Sequence, residues 1–253
     1  AIPDGNGNWT LVTASQSDGA KSITAVQTDV AGNVSQASPP FLMTIDTQVE
    51  PPTIDSVGTD TGVAGDRITS DNTLDIRGKV EPGGTVDIRI DNVAAGTAIA
   101  DINGNWSLTT ATLADGNRSI TAVQTDVAGN VSQPSTQYSV TVDTQVAPPT
   151  IENASNDSNV LGDRITNDNT LLIEGRAEVG ATVEVRINGV NVGTALADAS
   201  GRWTFTTSIL SDGTKSITAI QTDVAGNRSG PCTAYDMTID TNVAAPTIDS
   251  VGT

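Results

Sequence analysis

The sequence predicts an all-β chain made of tandem copies of one sandwich domain, and three observations predict it. Trp9, Trp106 and Trp203 stand at one spacing of 97 residues (106 − 9 and 203 − 106). Their surroundings repeat in register: KSITAVQTDVAGNVSQ begins at Lys21, RSITAVQTDVAGNVSQ at Arg118 and KSITAIQTDVAGNRSG at Lys215. Within each copy apolar and polar residues alternate at period two, and no stretch keeps helical periodicity for three turns.

The repeat divides the 253 residues unequally. Residues 1–46 match only the second half of a repeat, 47–143 and 144–240 are whole repeats, and 241–253 begin another, PTIDSVGT at Pro246 repeating PTIDSVGT at Pro52. Such a chain is expected to be a piece of a longer array. Each whole repeat has ordinary single-domain size, with room for its own core.

In the second copy, strands are expected at Thr53–Val57, Thr73–Val80, Thr85–Ile90, Ala94–Ala100, Trp106–Thr109, Arg118–Thr125 and Gln137–Val142, separated by clusters of Gly, Asn, Asp and Pro. Leu74, Ile76 and Gly78 alternate with Asp75, Arg77 and Lys79; Val86, Ile88 and Ile90 alternate with Asp87, Arg89 and Asp91. Val183, Val185 and Ile187 repeat the pattern against Glu184, Arg186 and Asn188. One apolar and one charged face mark half-buried antiparallel strands. Asp87 and Arg89 are expected to pair across strands with Arg77. About seven short strands in one repeat indicate an immunoglobulin-like sandwich. Aromatics are only 3% of the chain, so the core is aliphatic, with Trp106 as its one large member. The linkers DTQVEPP from Asp46 and DTQVAPP from Asp143 carry paired prolines, which favour a stiff extended backbone, and the array reads as an extended rod.

Thirty acidic residues against 12 basic ones leave a net charge of −18, with no histidine. Nucleic acid is not expected as a partner, because phosphate binding needs clustered Lys and Arg, and an anionic membrane surface would repel the chain. The acid either keeps the chain soluble or holds divalent cations; Asp in loops beside Gly and Asn suits calcium. Cys232 is the single cysteine and matches Ser135 one repeat earlier, so an intrachain disulfide and a thiolate metal cluster are excluded. No signal peptide or membrane span is present in the sequence. Catalysis finds little support: there is no imidazole base, the thiol has no imidazole partner, and no Gly-rich phosphate loop joins a strand to a helix.

Strand direction places the candidate metal ligands. The last strand of a repeat leaves at its base, at Asp143, whereas the six–seven loop lies at the top. Asp143 is therefore expected to face the Asp223-Val-Ala-Gly-Asn227 loop of the next domain, and Asp46 to face Asp126 with Asn130 nearby; Asp240 holds the same place after the third repeat. Converging carboxylates repel without a cation, and a calcium ion taking about six to eight oxygens would lock the joint. The competing reading, an Asp bonded to its own turn, explains the loop but not an Asp at every strand end before a linker. A second cluster, Asp60, Asp66 and Asp71, recurs as Asp157, Asp163 and Asp168 in the one–two loop, either as a cation site or as turn caps. Asp101-Ile-Asn103-Gly-Asn105 is similar to the first half of an EF-hand loop but has no closing glutamate, so it reads as a hairpin turn. Trp106 alternates inward with Leu108 as a core anchor; a Trp exposed on each repeat would instead stack on sugars and make a multivalent carbohydrate-binding or host-receptor-binding array.

GDRITNDNT from Gly162, the A-D-x-x-G-x-W turn, the T-D-V-A-G-N loop and the D-T-Q-V-x-P-P linker together resemble the bacterial immunoglobulin-like repeats of giant non-fimbrial adhesins secreted by type I systems of Gram-negative bacteria. The resemblance covers the whole chain. It implies a secreted, extracellular, monomeric rod on the bacterial cell surface, without membrane insertion of its own, stiffened by Ca2+ at its joints. Such a rod projects a binding tip toward the host cell surface, with glycans as one class of ligand. The family's calcium sites, transferred by position, fall on Asp46, Asp143 and Asp240 with Asp126 and Asp223, and Asp66, Asp71, Asp163 and Asp168 are further candidates.

Overall fold

The computed structural model describes residues 1–154, 158, 160, 162–247 and 249. All regular structure among them is β, and no helix is long and apolar enough to cross a membrane. The residues fall into two compact units, one built from Ala1–Ser56, Asp75–Thr109 and Ser119–Tyr138, the other from Val57–Leu74, Thr110–Arg118 and the chain from Ser139 onward.

In residues 1–46, β1 (Gly19–Ile23) and β2 (Phe41–Ile45) form an antiparallel pair. The second repeat contributes β3 (Thr53–Val57), β4 (Ile68–Thr69), β5 (Asp75–Lys79), β6 (Thr85–Ile90), β7 (Val93–Ile99), β8 (Asn105–Thr109), β9 (Gly116–Thr125) and β10 (Tyr138–Val142). The third repeats the series as β11 (Thr150–Ala154), β12 (Ile165–Thr166), β13 (Leu172–Arg176), β14 (Thr182–Ile187), β15 (Val190–Leu196), β16 (Arg202–Thr206), β17 (Gly213–Thr222) and β18 (Tyr235–Ile239). Each repeat makes a three-stranded sheet, β3-β5-β8 or β11-β13-β16, and a five-stranded sheet, β4-β10-β9-β6-β7 or β12-β18-β17-β14-β15.

The third repeat lies within one unit and shows how the sequence builds the sandwich. Alternation in β13 and β14 buries Ile173, Val183, Val185 and Ile187, and β17 and β18 add Ile217, Ala219, Met237 and Ile239. Trp203 is 1% exposed within this cluster. It sits opposite Gly175 in the β13–β16 register, and a Cβ on Gly175 would run into the indole and the Thr150 carbonyl oxygen. Gly78 stands in the same relation to Trp106 and Thr53. Glycine therefore ends the apolar run of each of these strands because the ring occupies the space of a side chain.

Two expectations change. Among the described residues each whole repeat has eight strands, because Ile68–Thr69 and Ile165–Thr166 pair in parallel with β10 and β18. Two residues are too short to show alternation, and their partner is distant in sequence. This strand matters to the joint: the Asp143 amide donates to the Thr69 carbonyl at 2.8 Å and the Asp240 amide to Thr166 at 2.9 Å. The expected cross-strand pairing of Asp87 and Arg89 with Arg77 is also corrected. β5 and β6 belong to different sheets, so Arg77 pairs with Asp75 and Arg89 with Asp87 along their own strands.

Gly175→Ala is expected to destabilise the third repeat by about 1–3 kcal/mol, since a rigid ring and a backbone carbonyl must both yield. Urea unfolding followed by indole fluorescence measures this, and an unchanged midpoint would contradict the packing described.

Candidate metal centre

The D-V-A-G-N loop winds around its first residue. The amides of Ala128 and Asn130 donate to Asp126 Oδ1 at 2.9 and 2.8 Å, and Asn130 Nδ2 donates to Oδ2 at 2.7 Å. Gly129 takes a φ of 94°, which the tight turn requires. The third repeat does the same, Asn227 donating to both carboxylate oxygens of Asp223 at 2.8 and 2.9 Å. The turn reading thus accounts for the loop. The Asn130 side chain, donating first among several such bonds, holds the Asp126 carboxyl below the usual carboxylate range.

The same asparagines also reach the preceding strand end. Asn130 Nδ2 donates to the Asp46 carbonyl at 3.0 Å and Asn227 Nδ2 to the Asp143 carbonyl at 2.7 Å. Around each contact three carboxylates converge. Asp46, Glu81 and Asp126 each offer an oxygen, all within 4.8 Å of one another, and so do Asp143, Glu178 and Asp223. Asp126 and Asp223 are each 6% exposed. The described ion pairs of Arg77, Arg89, Arg176, Arg186 and Arg228 go to other carboxylates. Three hard oxygen donors on separate chain segments, with no soft ligand, fit an alkaline-earth cation.

Glu81 and Glu178 were not among the residues expected from the sequence. They sit in the β5–β6 and β13–β14 turns at the repeat spacing (178 − 81 = 97), in one of the loops placed at the top of the domain. Their recurrence is a signal that could have found them. Gln124 and Gln221 were missed too, although Ile120, Ala122 and Gln124 alternate on one inward face. Each glutamine is 1% exposed. The Glu81 amide donates to Gln124 Oε1 at 3.1 Å while Gln124 Nε2 donates to the linker carbonyl of Glu50 at 2.5 Å. In the next repeat the Glu178 amide donates to Gln221 Oε1 at 2.8 Å and Gln221 Nε2 to the Ala147 carbonyl at 2.6 Å. A buried amide thus ties each acidic turn to its linker. The linker start is held as well: the Thr144 hydroxyl donates to Asp115 at 2.8 Å and the Thr241 hydroxyl to Asp212 at 2.8 Å.

The other candidates stay apart. Asp60 accepts the Gly65 amide, Asp66 the Ile68 amide and Asp71 the amide and hydroxyl of Thr73. Asp163 and Asp168 accept the amides of Ile165 and Thr170. Each closes its own turn, and none joins a three-carboxylate group among the described residues. Asp157 lies outside the described residues. Asp240 accepts the Asn242 amide. Asp101 takes the amides of Asn103 and Asn105, as a hairpin turn requires. Trp106 and Trp203 are 3% and 1% exposed, so neither presents a ring for sugar stacking; Trp9 is 53% exposed.

Paired sheets, a tryptophan anchor and a repeated carboxylate joint define an array of immunoglobulin-like domains. The model of the bacterial Ig-like domain family matches residues 1–47, 48–144 and 145–241, and the chain belongs to that family. Among solved structures it is similar to the fibronectin(III)-like modules of Clostridium thermocellum CbhA, at 18% identity and TM-score 0.40, covering 79% of this chain and 100% of that one. It is also similar to the BSP domain of a biofilm associated protein (17% identity, TM-score 0.28, 76% of this chain and 30% of that one). The D0-D1 domain of intimin matches at 13% identity and TM-score 0.26, over 73% of this chain and 98% of that one. No curated protein matches the chain.

Two expectations follow. Gln221→Ala should lower the stability of the third repeat by about 1–3 kcal/mol, because it truncates a buried side chain and removes the partners of the Glu178 amide and the Ala147 carbonyl; urea unfolding measures the loss. Asp198 accepts the hydroxyl and amide of Ser200 and the Arg202 amide, and these bonds lower its pKa, the Ser200 hydroxyl most. A depressed folded pKa stabilises fully above the ordinary carboxylate value of about 3.9 and is lost as pH falls through the folded value. Asp198→Asn should therefore lower Tm at neutral pH and flatten its fall below about pH 4; an unchanged Tm–pH curve would contradict this.

Proposed function

We propose that the chain is a stalk segment of a giant, type I-secreted bacterial surface adhesin, in which calcium at the joints stiffens the array that carries a binding tip to host cells. In its motifs it resembles the giant non-fimbrial adhesin of Salmonella. The observation that carries the reading is the carboxylate triad, formed twice from the same three elements: the strand end before a linker, the turn between the second- and third-long strands, and the D-V-A-G-N loop. Three carboxylates within reach of one another repel until something neutralises them. Bound there, calcium supplies that charge and gathers the oxygens into one coordination shell.

The chain's own residues do the positioning. Asn130 and Asn227 bring the loop to the strand end, and Gln124 and Gln221 hold the acidic turn against the linker. The acids thus stand close together before a cation arrives, which lowers the ordering needed to bind one. The buried Trp106 and Trp203 favour this reading over a sugar-stacking array. The repeats serve as spacers, and the reading assigns them no reaction.

Calorimetric titration should find calcium sites in the chain, with Glu81→Gln and Glu178→Gln each weakening one. Small-angle scattering should show the longest dimension dropping, or the ensemble broadening, when chelator replaces calcium. A profile unchanged by chelator, together with no calcium heat, would sink the proposal.

A further inference from the structure

A second contact joins the second repeat to the third, and it contains no carboxylate. The Thr61 hydroxyl donates to the Ala225 carbonyl at 2.6 Å, and the Val63 amide donates to the Val224 carbonyl at 2.9 Å. Both acceptors belong to the D-V-A-G-N loop of the third repeat. That loop's internal bonds use the carbonyls of Asp223 and Asn227, which leaves the two middle carbonyls facing the preceding repeat. Thr61 is itself fixed, since its oxygen accepts the Ser70 amide at 2.7 Å. Between the two donors lies Gly62, with a φ of 70°. A Cβ there would collide with the Val224 carbonyl oxygen and the backbone of Ala225 and Gly226.

We infer that the Thr61–Val63 loop is a docking surface for the main chain of a following D-V-A-G-N loop, and that residue 62 decides whether docking forms. The matching sequence of the third repeat is Ser158-Asn159-Val160, of which Asn159 lies outside the described residues. Serine keeps the hydroxyl, which accepts the Asn167 amide as Thr61 accepts Ser70, but the Val160 amide donates to the Ser158 carbonyl at 2.9 Å and asparagine stands where glycine was. Asparagine tolerates the left-handed backbone, but its Cβ needs the space that the next loop's carbonyl would fill. Joints of the Thr-Gly-Val type are locked twice, by main-chain docking and by the triad. Joints of the Ser-Asn-Val type rely on the triad alone. The array thereby carries a sequence-coded difference in joint stiffness.

The test uses the whole 253-residue chain, hydrogen exchange at the Val63 amide, and the distance distribution between spin labels in the second and third repeats, each with calcium and with chelator. The docking bond involves no cation, so Val63 should stay protected in chelator. Gly62→Asn should speed its exchange about tenfold or more, the loss of one net hydrogen bond, and broaden the distances. Thr61→Val should give a smaller effect of the same sign. Unchanged far-UV dichroism and indole fluorescence would show that the variants fold. Exchange of Val63 at an exposed-loop rate in the parent would overturn the inference. So would protection that disappears on chelation alone, or a Gly62→Asn chain that keeps both protection and distances. A calcium-insensitive parent with a protected Val63 would instead count against the stalk reading while upholding the docking.

Discussion

Each D-V-A-G-N loop is wound around the carboxylate of its own aspartate, and that winding aims the loop's asparagine and middle carbonyls. Because Asp223 takes the Asn227 amide and side chain, Asn227 is aimed at the Asp143 carbonyl. Because the loop's inner bonds use Asp223 and Asn227, its middle carbonyls turn toward Thr61 and Val63. The same carboxylate remains one of three converging oxygens. A short polar turn, satisfied mostly by itself, therefore presents an anion, an amide and two carbonyls in fixed directions.

The sandwich supplies the frame that lets such a turn act. In the two whole repeats buried aliphatic side chains and one tryptophan, Trp106 or Trp203, fill the interior, and Gly78 and Gly175 yield their side-chain space to the ring. The two-residue strands β4 and β12 cover the edge of the last strand, as edge protection requires. They also grip the backbone of Asp143 and Asp240, so the residue that enters the linker leaves the domain in a defined place. Buried glutamines carry that definition across the joint, from the acidic turn to the linker carbonyl.

A division of labour among the acids follows. Asp60, Asp66, Asp71, Asp101, Asp163, Asp168 and Asp198 are absorbed by nearby amides and account for turns. Glu184 is held by Arg186 and Arg228, which lower its pKa, Arg228 most. The triad members also accept amides, Asp46 from Gln48, Asp143 from Gln145 and Glu178 from Ala147, and they differ in that they come from separate segments whose carboxylates converge.

Period-two alternation and the 97-residue spacing made the all-β repeat legible, because burying one face of a strand imposes that pattern wherever the strand lies. Strand direction brought Asp46 toward Asp126 and Asp143 toward Asp223, since the last strand of a repeat leaves at the end opposite the D-V-A-G-N loop that precedes it. Other features needed the third dimension. The assignment of β5 and β6 to different sheets removed the expected Arg77 pairing, and the parallel β4 and β12 depend on partners far along the chain. Glu81 and Glu178 look like ordinary turn residues until the linker and the next loop fold against them. Gln124 and Gln221 stand on an apolar face for a reason visible only once the linker carbonyl arrives. Local order follows from which side chains can be buried, whereas a joint is decided by which distant backbone atoms a fold brings within hydrogen-bonding reach.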